Sequence, residues 1–297
     1  MHHPKHLILL VYLVLSLTTT AQDLPDRETI TRHASDDIAL VADFYAGPAD
    51  APVIIALHML NSERAAYAPL IPDLQAAGYA LLNVDMRGHG ASGGARDWDA
   101  AIADVADWIA WLETEGHLNE SGLAIMGASI GANVAIISCA ESAVCAGAIA
   151  LSPGLDYRGV KPEAALVDGL ADRAALLVAA GRDQSSATAI RQMFLKAQGA
   201  VTARMYSGRA HGTRLFESEY ESVSQLILHW LREHIPVNHA PSKDDECNPD
   251  NYQFGKRGYI LCSSIPRAMK PITADHCLYE HMDDRDNDGV VCEIDRS

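Results

Sequence analysis

The chain has 297 residues, 48% of them apolar, and a formal net charge of −16. That is enough apolar residue for a substantial core, and the length exceeds one average domain. The acidic balance argues against nucleic acid and anionic membrane surfaces as partners, because binding phosphate needs a basic footprint; it reads as solubility.

In chain order, residues 1–21 read as a secretory leader. Lys5 supplies a positive flank, and the apolar run Leu7 to Leu17 is too short to span a bilayer. Thr19 and Ala21 offer a small-residue cleavage site before Gln22, with an uncleaved anchor as the alternative. No cysteine follows the run, so a lipoprotein is not expected. The mature chain, expected to have no transmembrane segment, is assigned to the periplasm, the cell surface or the medium.

Next comes an alternation of apolar runs and helical stripes. Strands are expected at Ile38–Tyr45, Val53–His58, Tyr79–Asp85, Leu123–Met126, Ala146–Leu151, Ala174–Ala180 and Val201–Tyr206. Ile102, Val105, Ile109 and Leu112 recur at helical spacing, as do Val223, Leu226, Ile227, Trp230 and Leu231. The alternation predicts an α/β fold, a mostly parallel sheet with helices on both faces. No internal repeat is visible.

One junction carries chemistry. Leu123 to Met126 reads as a strand, Gly127-x-Ser129-x-Gly131 as a sharp turn, and a helix begins near Ile130. Such a turn holds a serine hydroxyl clear of the sheet, beside helix N-terminal amides. An acid follows at Asp183, where a buried run ends, and a histidine at His211, on the loop after the last strand. The order Ser, Asp, His at strand ends is that of the α/β-hydrolases.

From about residue 27 to 234 the sequence resembles that superfamily, and more closely its small, lidless, dienelactone-hydrolase-like members. Leu57-His58, Asp85-Met-Arg-Gly-His-Gly90, the Ser129 turn, Asp183 and His211 carry the resemblance. Dienelactone hydrolases proper use a cysteine nucleophile; Ser129 favours ester cleavage. The resemblance implies Ser129 as nucleophile, His211 as general base and then acid, and Asp183 holding the histidine tautomer. The backbone amides of Met59 and Ile130 are the expected oxyanion hole, each worth roughly 3 kcal/mol if well aimed. Relatives often carry glycine where this chain has Met59, whose bulk is expected to narrow the acyl pocket. Asp156 is the alternative acid. His58 and His89 are expected to fix loop backbone, and His117, His229 and His234 to be ordinary surface or packing residues. Trp98, Trp108 and Trp111 read as helix packing. About twenty residues separate Leu151 from Ala174, too few for a helical cap, so the site is expected to be open to small or exposed esters.

Pro236 to Glu246 has two prolines, a charge cluster and no periodicity, and reads as a linker after a hydrolase domain of residues 22–235. The module at 247–297 holds four of the six cysteines, Cys247, Cys262, Cys277 and Cys292. An even count fits disulfides in an oxidising compartment; the simplest pairing is Cys139 with Cys145 and two bridges in the tail, whose connectivity stays open. Asp284-x-Asp286-x-Asp288-Gly289 repeats the opening of a calcium loop, with the Val290 carbonyl and Glu293 as further oxygens and Asp295 at position twelve. The Asp-x-Asp-x-Asp-Gly-x-x-Cys-Glu form resembles the Excalibur extracellular calcium-binding module. It implies a structural Ca2+ and a role in stability or in attachment to a surface or matrix. No Walker A loop, dinucleotide fingerprint or zinc-spaced set is present, so no cofactor is expected for catalysis. Peptide or thioester cleavage on the same triad is the alternative activity. A catalytically silent binding protein that works through the calcium module is the alternative of another class.

Overall fold

The computed structural model describes residues 27–118 and 122–237, and the backbone of a short strand pair further on. An eight-stranded sheet runs through the described part: β1 (Arg27–His33), β2 (Ala39–Tyr45), β3 (Val53–Leu57), β4 (Ala80–Asp85), β5 (Leu123–Ala128), β6 (Cys145–Leu151), β7 (Ala174–Ala180) and β8 (Val201–Tyr206). Their order is β1-β2-β4-β3-β5-β6-β7-β8. β2 lies antiparallel to both β1 and β4; every other pairing is parallel.

The central strands read as unbroken apolar runs because both of their faces are covered. Along β3, Val53, Ile55 and Leu57 join the core on one face, while Ile54 and Ala56 join the core on the other. The first core is closed by α2 (Trp98–Thr114) and α3 (Ile130–Glu141), the second by α1 (Ile71–Ala76) and α6 (Tyr220–His234). Asp97 caps α2 by accepting from the Ala100 amide at 3.1 Å, and Gly116 follows its end at φ 72°. Both expected helical stripes face inward, with Ile102 and Leu226 at their half-buried margins. Trp108 is fully buried, and Trp111 packs edge-on against it.

Three expectations need correction. β1 is not among the expected strands: its sequence Arg-Glu-Thr-Ile-Thr-Arg-His is polar because the strand lies at the sheet edge. β5 runs two residues beyond Met126, since Gly127 and Ala128 still pair with Ala150 and Leu151 of β6. His58 lies outside β3, because its ring turns into the loops beyond the strand end. Cys139 and Cys145 are bridged, tying the last turn of α3 to the start of β6.

β9 (Ile272–Thr273) and β10 (Val290–Val291) pair antiparallel, Val290 opposite Thr273. Otherwise the expected leader at 1–21, most of the expected linker and the expected calcium ligands Asp284, Asp286, Asp288 and Glu293 lie outside the described residues. No described helix is long and apolar enough to cross a membrane.

Candidate active site

The sheet order turns back on itself at β3. The chain goes from β3 to β4 on one side, then returns across to β5 on the other. Loops leaving the carboxyl ends of β3 and β5 therefore diverge and open a crevice, where open α/β sheets bind ligands. Leu57 and Gly127 are abreast in the two strands, so Met59 and Ser129, two residues on, stand at its two sides.

Ser129 sits at φ 54°, ψ −118°, a strained backbone for a non-glycine residue. Its amide donates to the Leu151 carbonyl at 2.8 Å. The flanking glycines are steric necessities. A Cβ on Gly127 would fall 2.0 Å from the Gly131 carbonyl oxygen, and one on Gly131 would fall 2.4 Å from that of His58.

Three side chains from the segments that follow β5, β7 and β8 form one hydrogen-bonded row. His211 Nε2 is 2.7 Å from Ser129 Oγ, and His211 Nδ1 is 2.6 Å from Asp183 Oδ2. With Nδ1–H donating to the Asp183 carboxylate, Nε2 is left to accept from the Ser129 hydroxyl. Ser129 is 8% exposed, whereas the His211 side chain is 33% exposed, so the row is open at the imidazole. Asp156 is elsewhere engaged: its carboxylate accepts from the Gly159 amide at 2.8 Å and lies 3.5 Å from Lys161.

Ile130 opens α3, so its amide has no intrahelical acceptor. The Met59 carbonyl accepts from His58 Nδ1 at 2.8 Å and from the Ser62 amide at 3.2 Å. The Met59 side chain lies against the turn after His211, since a Cβ on Gly212 would fall 3.0 Å from its sulfur.

The other histidines separate by environment. His58 is fully buried; Nδ1 donates to Met59 and Nε2 accepts from the Met86 amide at 3.1 Å. Burial drives its pKa down to about 4, so it stays neutral and ties the β3 and β4 loops together. Burial also lowers the pKa of His89, whose Nδ1–H donates to the Arg87 carbonyl, 3.0 Å away. His117 packs on Phe44, His234 on Trp230, and His229 is exposed.

Asp85, at the end of β4, opens the Asp85–Gly90 motif, and its place in the site comes from the structure. It is fully buried and accepts from the Arg64 amide at 2.7 Å, the Ala91 amide at 2.8 Å and the Arg64 guanidinium. It thereby clamps the loops on both sides of His58. Ser152, directly after β6, has no signal in the sequence: it is fully buried at φ 56°, and its Oγ accepts from the Gly212 amide at 2.9 Å. A serine following an apolar strand is too common a pattern to single it out. Among the described residues, no group of three or more His, Cys, Asp or Glu side chains is gathered to hold a metal ion.

Residues 48–193 match the model of a serine aminopeptidase family, S33. No curated protein matches the chain. Among solved structures, a Pyrococcus furiosus esterase superposes with a TM-score of 0.63 at 18% identity, covering 71% of this chain and 91% of its own. An Anabaena variabilis dienelactone hydrolase gives 0.58 at 16% identity, over 71% of this chain and 99% of its own. A Butyrivibrio proteoclasticus protein with ferulic acid bound gives 0.59 at 16% identity, over 69% and 99%. The sheet order, the strained serine turn and these superpositions agree that the chain has the α/β-hydrolase fold.

Proposed function

We propose that this protein is an exported serine hydrolase that cleaves carboxylic esters through an acyl-enzyme. The observation that carries the reading is the Ser129–His211–Asp183 row, with hydrogen bonds of 2.7 and 2.6 Å at a strained strand-to-helix turn. Ser129 Oγ attacks the ester carbonyl while His211 Nε2 takes its proton; Asp183 holds the tautomer and stabilises the imidazolium. The amides of Ile130 and Met59 stabilise the oxyanion. His211 then returns the proton to the leaving alcohol, and water repeats the sequence on the acyl-enzyme. The Met59 side chain, against the Gly212 turn, limits the acyl group that fits.

The test is hydrolysis of p-nitrophenyl esters from acetate to decanoate by wild type and Ser129→Ala. Turnover falling by about 10^4-fold or more in the variant supports the serine mechanism, and the chain-length optimum sizes the acyl pocket. Equal turnover in both proteins overturns it. A second reading, a peptidase on the same triad, draws on the serine aminopeptidase match over residues 48–193. Turnover of aminoacyl p-nitroanilides in preference to every ester would favour it.

The C-terminal module is proposed to hold one structural Ca2+. Asp284, Asp286, Asp288, the Val290 carbonyl and Glu293 are all hard oxygen donors, the chemistry calcium selects. The ion would tie the tail together and leave the acyl chemistry untouched.

A further inference from the structure

β8 ends at Tyr206, five residues before His211, so no strand aims the imidazole. The loop after β6 does. Its first residue, Ser152, takes the amide of Gly212 on Oγ at 2.9 Å. Five residues on, Tyr157 stands edge-on to His211, ring centroids 6.2 Å apart at 81°. The Tyr157 hydroxyl is 3.1 Å from Ser186 Oγ, a fully buried hydroxyl in the first turn of α4 (Gln184–Lys196), the helix that Asp183 precedes. One side chain therefore touches both the histidine and the base of the helix beside its acid.

The loop is in turn held by the helix that carries the nucleophile. Asn133, one turn into α3, is fully buried. Its Nδ2 donates to the carbonyls of Gly154 at 3.0 Å and Val160 at 2.8 Å, and its Oδ1 accepts from the Gly154 amide at 2.9 Å. These bonds pin both ends of the 154–160 segment, and Tyr157 and Val160 exchange backbone bonds inside it. The Tyr157 ring lies flat on Gly154, where a Cβ would fall 2.5 Å from the ring carbon bearing the hydroxyl. The contacts close a circuit: Ser129, α3, Asn133, the loop, Tyr157, His211 and back to Ser129 Oγ.

We infer that Tyr157 is a positioning residue, anchored by Asn133, which fixes the plane of the His211 imidazole and covers the Asp183–His211 hydrogen bond against water. The inference rests on the serine-hydrolase reading. It assigns Tyr157 no contact with substrate. An aromatic edge against the imidazole limits its rotation, and water excluded from a charged pair leaves that pair stronger.

The experiment compares Tyr157→Ala, Tyr157→Phe, Asn133→Ala and the double variant Asn133→Ala/Tyr157→Ala. Each is assayed on p-nitrophenyl butyrate, with rates referred to active sites counted by a fluorophosphonate. Tyr157→Ala is expected to lower kcat by about 10- to 100-fold with KM within about twofold, because misaimed general-base geometry costs on that scale. Tyr157→Phe, which keeps the ring, restores most of the rate. The double variant is expected to lose no more than the worse single one, since both act through one contact. The second readout needs no turnover. The low-field proton resonance of His211 Nδ1–H, identified by its loss in His211→Gln, is sharp in the wild type and broadened by solvent exchange in Tyr157→Ala. An unchanged resonance and kcat in Tyr157→Ala overturn the inference, as do losses that multiply in the double variant. Should Asn133→Ala not fold, the Tyr157 pair and the resonance decide alone. Absence of ester turnover in the wild type would instead strike the proposed function, with the resonance still reporting on Tyr157.

Discussion

His58 illustrates how a side chain outside the Ser129–His211–Asp183 row holds the loops beside it. Because Nδ1 donates to Met59 and Nε2 accepts from Met86, only the neutral ring satisfies both bonds. Its folded pKa of about 4 lies below the ordinary value of 6.5, so between these the unfolded chain binds more protons than the folded one. Stability from this group is therefore full above pH 6.5 and is lost as the pH falls towards 4. The loss amounts to about 3 kcal/mol. Denaturant midpoints of wild type and His58→Gln across that window check this: the slope with pH should flatten in the variant. Gly131 makes a steric prediction. The Cβ of Gly131→Ala would meet backbone carbonyls of Leu57 and His58, which have no rotamer to escape into. Chemical denaturation should report a loss of about 2–3 kcal/mol, and ester turnover should fall with it, since the β3 and α3 ends that carry Met59 and Ile130 are forced apart.

At the level of the elements, α3 is the helix around which the site is organised. It follows directly on Ser129, holds the loop anchor Asn133 at the end of its first turn and carries a disulfide in its last. Its C-terminal carbonyls lack intrahelical partners, and Arg173 supplies them from outside. The Arg173 guanidinium donates to the carbonyls of Cys139 at 2.6 Å, Ala140 at 3.0 Å and Ser142 at 2.7 Å, and also to Cys145 at 3.2 Å and Gly169 at 2.7 Å. A cation there also complements the helix dipole. Arg173→Leu is expected to cost about 3 kcal/mol, because five carbonyls then lose a charged donor. The Cys139–Cys145 bridge closes a loop of only six residues' separation, so its removal should cost less, about 2 kcal/mol. Thermal melts of Arg173→Leu and of Cys139→Ala/Cys145→Ala rank the two.

For the whole molecule the expected division of labour is that the sheet carries the acyl chemistry and the tail carries the ion. Titration of the full chain with calcium should show one site in the range of about 0.1–1 mM, as extracellular modules bind it. Asp286→Ala should abolish that binding and leave the kcat for p-nitrophenyl butyrate unchanged. A fall in kcat on adding a chelator to the wild type would mean that the two parts are not independent.

The sequence by itself determined the α/β alternation, the parallel strands of the core and the order Ser129, Asp183, His211. The physical reason is local. Strands buried on both faces must be apolar throughout, as Ala174–Ala180 is, and a strained strand-to-helix turn must have glycine where backbones touch. β1 was hidden because an edge strand with one solvated side has no such constraint on its residues. The tertiary structure decided between the two candidate acids: Asp183 accepts the hydrogen bond of His211 Nδ1–H, while Asp156 accepts from the Gly159 amide in its own turn. It alone brought Tyr157 to the histidine, Ser152 to the Gly212 amide beside it, Asn133 to the loop that carries Tyr157, and Arg173 to the end of α3. Those contacts join residues 20 to 60 positions apart through a topology in which β5 and β6 lie side by side. Such pairings are made by hydrogen-bond geometry across loops, which leaves no periodic trace along the chain.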